Sequence, residues 1–122
     1  MTKEQALNNF WNRFNIPAYD ENTVPDDVET PYITYEARFS SIENDVILYG
    51  SIWDSTMSWE NISLKAEEIN QYIGLGGASE PYTGGRIWIK RGNPFSQRME
   101  EPGSEVTRRI LLSLIVEYQS EN

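Results

Sequence analysis

Apolar and polar positions along the chain switch between a period of three to four residues and strict alternation, and each switch marks an element. Ala6, Leu7, Phe10, Trp11 and Phe14 recur at spacings of three and four, which predicts an amphipathic helix over Thr2–Phe14. Thr2 can cap it, and Gln5 three residues on completes a capping box. Asn15 and Pro17 stop the helix, and Ile16–Tyr19 reads as a short extended segment. The acidic, proline-bearing residues 20–31 read as a loop. From Tyr32 to Ser40, Ile33, Tyr35, Ala37 and Phe39 alternate with polar residues, the pattern of a half-buried strand. SIENDV supplies a turn, and Val46–Asp54 is a second strand pairing with the first as an antiparallel hairpin. Gly50 inside it marks either a bulge or a close backbone approach.

Ser58 is expected to N-cap a second helix with Glu60 in its first turn. Trp59, Ile62, Ala66, Ile69 and Ile73 form its apolar stripe, and Gly74 stands where a C′ glycine belongs. Residues 74–85, with five glycines, read as a linker. Arg86–Arg91 alternates as a strand. Thr107–Tyr118 fits a helical stripe through Ile110, Leu111, Leu114, Ile115 and Tyr118, and it equally alternates as a strand. Its IVEY ending and the need of the other strands for a partner favour the strand. Both faces of that strand are apolar, so it lies centrally in the sheet or has its second face covered by another subunit. Between the last two strands residues 92–104 form a connection longer than an ordinary hairpin loop. It carries Phe95 and Met99 among charges, the composition of a loop that is either functional or disordered and that orders on assembly. The order helix, short strand, two strands, helix, two strands predicts an α+β fold in one domain, 1–122. It has a four- to five-stranded, mostly antiparallel sheet with two helices packed on it.

Composition narrows the function. The chain has 122 residues with no cysteine and no histidine, which removes disulfides, thiolate metal sites, and the commonest general base and metal ligand together. No apolar run approaches a membrane span, and the N-terminus lacks a signal-peptide core. The net charge is −9. It is unevenly placed: residues 1–61 hold eleven acids and three bases, whereas residues 62–122 hold eight acids and seven bases. Arg86, Lys90, Arg91, Arg98, Arg108 and Arg109 all fall in the last two strands and their connection. An acidic chain disfavours tight nucleic-acid binding, and this polarity suits copies docking head to tail.

The candidate chemistry is thin. Asp20, Glu21, Asp26 and Asp27 lack the spacing and central glycine of a calcium loop. Gly74, Gly76 and Gly77 fit neither phosphate-binding fingerprint and follow a helix. The neighbouring carboxylates Glu100–Glu101, Asp26–Asp27 and Glu67–Glu68 are not the separated pair in a cleft that acid–base work needs. Ser55, Ser58 and Ser104 have no histidine to activate them, and Lys90 beside Arg91 reads as exposed. Trp53 and Trp88, near strand ends, are candidate interface anchors as well as core. The expectation is no enzyme, no cofactor and no metal.

Two segments carry a family likeness: FNIPAYDENTVPDDVETPYITYEARFSS and RIWIKRGNPFSQRMEEPGSEVTRRILLSLIVEY. Together they resemble the tail terminator, or tail completion, proteins of long non-contractile-tailed bacteriophages and prophages of Gram-positive bacteria. The resemblance implies a virion subunit, made in the host cytoplasm, that forms a hexameric ring on the tail tube. The ring ends tube polymerisation and joins the tail to the head-completion connector. DNA would pass through its lumen without specific binding. The partners implied are further copies of the chain, the tube protein and the connector. On this likeness Phe95 and Met99 are apolar interface anchors, Arg91 and Arg98 their charge partners, and Arg108 and Arg109 neighbours in the same surface. The rival reading is a small acidic immunity or inhibitor protein binding a basic toxin. A carboxylate hydrolase is a third.

Overall fold

The computed structural model describes residues 1–39, 45–101 and 106–120. Helix α1 (Lys3–Trp11) leads into a short 3₁₀ turn, Asn12–Phe14. Strands β1 (Ala18–Asp20), β2 (Tyr32–Tyr35) and β3 (Asp45–Ser55) precede helix α2 (Glu60–Ile73). Strands β4 (Ala78–Tyr82), β5 (Gly85–Met99) and β6 (Thr107–Ser120) follow it. The six strands form one sheet in the order β1-β2-β3-β6-β5-β4, with β1 parallel to β2 and every other pair antiparallel. The α+β class with two helices holds; the sheet is six-stranded and mixed, wider than the four or five strands expected.

The first helix starts where its capping box places it. Thr2 Oγ1 accepts from the Gln5 N–H, and Gln5 Oε1 accepts from the Thr2 N–H. Asn15, at φ 63, turns the chain out of it. Helix α2 begins one residue later than expected: Trp59 holds the N-cap position and offers no side-chain bond. Ser58 still serves the terminus, because its Oγ accepts from the Glu60 N–H at 3.1 Å.

β6 settles the ambiguity between helix and strand as a strand. Its register with β3 is unbroken from Asp45↔Glu117 to Ser55↔Thr107, and β5 lies on its other side, so it is central as expected. No bulge occurs at Gly50. The glycine instead admits Trp11, since a Cβ there would lie 2.5 Å from Trp11 Cη2. The first strand of the expected hairpin ends at Tyr35 rather than Ser40. The Glu36 N–H still donates to the Tyr49 carbonyl at 2.9 Å, but its carboxylate rather than its backbone accepts the Tyr49 N–H, at 2.8 Å. Beyond it Arg38 turns its guanidinium to the Ile47 carbonyl, and Phe39 packs on Tyr118. Ser40 and most of the predicted turn lie at 40–44, outside the described residues.

Both helices pack on one face of the sheet. Ile110, Leu112, Leu114, Val116 and Tyr118 of β6 point there, with Leu48 and Ile52 of β3 and Ile87 and Ile89 of β5. They meet Leu7, Phe10 and Trp11 of α1 and Ile62, Ile69 and Ile73 of α2. Each such large side chain contributes about 1.5–3 kcal/mol on burial. Tyr72 joins the helices, edge-on to Phe14 at 5.5 Å.

Candidate interaction surface

The expected long loop is mostly strand. β5 pairs with β6 down to Arg91↔Leu114 and resumes at Ser96↔Leu112. Gly92, Asn93, Pro94 and Phe95 therefore stand opposite Ser113 alone, a four-residue bulge. Gly92 makes it possible: a Cβ there would lie 2.3 Å from Ser113 Oγ. Ser113 in turn donates to the Pro94 carbonyl at 2.6 Å and pins the bulge to β6. The glycine and proline that resemble loop punctuation thus build an irregularity inside a strand. Of the expected 92–104 connection, residues 92–99 belong to β5, and 102–105, including Ser104, lie outside the described residues.

The sheet separates the six candidate interface residues. Arg91, Arg98 and Arg108 lie on the helix-bearing side. Arg91 donates to Asn70 Oδ1 on α2 at 2.6 Å. Arg98 and Arg108 both lie over the Trp59 ring, 5.0 and 5.4 Å from its centroid, and Arg108 also donates to the Met57 carbonyl. Phe95, within the bulge, packs partly buried against the core. Met99 and Arg109 pair with each other on the opposite side. There Arg109 lies 5.0 Å over Trp53 and forms an ion pair with Glu101 at 2.9 Å. These residues make two surfaces, not one patch.

That opposite side carries no helix. Ile47 and Ile115 face each other across β3 and β6, beside Tyr49 and Leu111. Ile47 is 51% and Tyr49 40% exposed. The row continues through Trp53, stacked on Tyr32 at 6.3 Å and donating from Nε1 to Thr34 Oγ1. Sequence alternation signals this face: Leu111 and Ile115 occupy the positions that a one-sided strand fills with polar residues. Ile47, Tyr49 and Leu111 were missed as surface residues because each also reads as ordinary strand filling.

Charge runs across the sheet. At the β1–β2 edge the 20–31 connection exposes Glu21, Asp26, Asp27 and Glu29 without a basic residue. At the other side β5 carries Arg86, Lys90, Arg91 and Arg98. The outer side of β5 is paired with β4 only from Gly85 to Ile89, so Lys90–Met99 is an open strand edge among the described residues.

Among the described residues no three carboxylates gather to hold a metal ion, and no helix is long and apolar enough to cross a membrane. Glu80 is buried on the core face of β4 but is committed to Arg13, whose guanidinium this hydrogen-bonded carboxylate holds above its ordinary pKa. Burial raises the Tyr35 hydroxyl, against the bond it accepts from Asn8, and pushes Tyr118 up to about 12. Tyr118 donates to the Arg38 carbonyl at 2.9 Å, so its perturbation belongs to packing. Comparison of the chain with protein-family models, with curated proteins and with solved structures finds no match.

Proposed function

We propose that this chain is an assembly subunit of a bacteriophage tail, of the terminator kind. Copies would form a ring that caps the tail tube, ends its growth and meets the head connector. The observation that carries the reading is the helix-free face of the sheet, where Ile47, Tyr49, Leu111 and Ile115 form an apolar strip beside Trp53. Such a strip is costly to leave in water and fits a neighbour in an assembly. The charge polarity supports the same reading. An acidic edge and a basic edge on one chain favour head-to-tail contacts, and these close into rings when the rotation permits. The overall charge of −9 suits a lumen that lets DNA slide without holding it. In this reading the protein acts in the virion neck, without catalysis, cofactor or metal.

The test is assembly. Ile47→Glu places a charge on an exposed strand position and leaves the core untouched, so it should give a folded monomer that no longer associates or shortens growing tail tubes. Unchanged association would remove the apolar strip from the account. The exposed acids of residues 20–31 also fit a basic toxin, the inhibitor reading. A chain that stays monomeric and binds one basic protein tightly would establish that instead.

A further inference from the structure

The bulge in β5 opens a cavity of about 540 Å³ between that strand and α2. Its α2 wall presents Ala66, Glu67 and Asn70, its β5 wall runs from Asn93 to Arg98, and Ile110 forms part of its lining. Three features meet here. The Phe95–Ile110 side is apolar, whereas Arg98 lines the cavity and Arg91 reaches its Asn70 wall, against one lining carboxylate, Glu67, which already accepts from Asn70 and Gln71. The β5 wall is also the edge beyond Ile89, which pairs with no outer strand among the described residues and so offers its outward backbone N–H groups. A segment that fills this groove should be rich in carboxylates, which take N–H and guanidinium donors together. It should also carry a small apolar side chain for the floor.

The chain contains such a segment at its opposite edge. The 20–31 connection exposes Glu21, Asp26, Asp27 and Glu29, has no base, and includes Val24 and Val28. We infer that the α2–β5 groove of one copy receives the acidic 20–31 connection of the next. This rests on the assembly reading and names its contact. Because donor and acceptor surfaces differ, the contact is heterologous and repeats from copy to copy. It would also cover a strand edge that otherwise invites indiscriminate pairing.

The absence of cysteine gives a clean test, since a disulfide forms only between residues brought close together. Asp26→Cys and Ser96→Cys chains, both changed at exposed positions, are mixed under mild oxidant. The expected result is a disulfide-linked dimer several-fold more abundant in the mixture than in either variant alone. It should also exceed a mixture of Asp26→Cys with Leu75→Cys, a fully exposed control. Arg98→Glu in the Ser96→Cys chain should cut the yield several-fold, and Asp27→Arg in the Asp26→Cys chain should restore it. A yield no higher than the control, or unaffected by the charge reversal, overturns the inference. The wild-type mass, measured separately by light scattering, keeps the two levels apart. A closed oligomer without this cross-link removes the groove contact and leaves the ring. The cross-link in a chain that never closes an oligomer keeps the contact and removes the ring.

Discussion

Gly50 shows how one residue fixes the placement of a helix. It lies in β3 opposite Tyr35 of β2, and the missing side chain leaves room for the Trp11 ring, which stacks on Tyr35 at 6.0 Å. Gly50→Ala should therefore destabilise the protein by about 1–3 kcal/mol, as overpacking does when the obstructing group is a buried ring. Urea denaturation measures it, and an unchanged midpoint would mean that α1 shifts freely. Tyr118 carries the clearest pH signature. Its folded pKa of about 12 lies above the unfolded value of 10.0, because burial disfavours the phenolate. A raised pKa stabilises the fold fully below the unfolded value and loses that contribution as pH rises toward the folded one. Stability should thus fall between pH 10 and 12, by up to about 3 kcal/mol for a shift of this size. Tyr118→Phe should lose part of this slope while giving up about 1 kcal/mol of hydrogen bonding at neutral pH. An alkaline profile identical to wild type would assign the loss to other groups.

At the scale of elements, α1 is tied to the far edge of the sheet by one charged pair. Arg13, just past the helix, reaches Glu80, which is 1% exposed on the core face of β4. Arg13→Ala strands a buried carboxylate. The expected cost is about 2–3 kcal/mol, under the 3–5 typical of a fully buried pair because the Arg13 side chain is 43% exposed. Urea denaturation checks it, and a midpoint equal to that of the wild type would contradict the account. The same pair explains why β4 escaped sequence reading. ASEPY places a glutamate where a core residue is expected and a proline at the sheet edge, so nothing alternates in hydropathy. β3 and β6 were legible because most of their core positions are aliphatic, Val46, Leu48 and Ile52 in β3 and Ile110, Leu112, Leu114 and Val116 in β6. The second half of β5 was not, since Gly92 and Pro94 punctuate a bulge in the same way that they would punctuate a loop. The basic residues of the candidate surface were legible as a cluster. Arg108 and Arg109 divide between the two faces by alternation alone, whereas the face that Arg98 takes depends on the bulge register, which only the folded pairing reveals.

For the whole molecule, two helices on one face leave a six-stranded sheet with an apolar, aromatic opposite side. Its two edges differ in charge, β1 beside an acidic connection and β5 beside arginines. On the proposed reading a repeating subunit would use all three surfaces: the apolar strip against a neighbour, and the acidic and basic edges against each other. The phage terminator reading adds a place for such a ring, at the end of a tube through which DNA must slide. The central claim beneath it is association. Light scattering of the purified chain over a wide concentration range tests that claim most directly, with Ile47→Glu measured alongside. The account predicts one discrete assembly several times the 14.1 kDa subunit mass for the wild type, and a folded monomer for the variant. A wild-type chain that remains at 14.1 kDa at every concentration would contradict it.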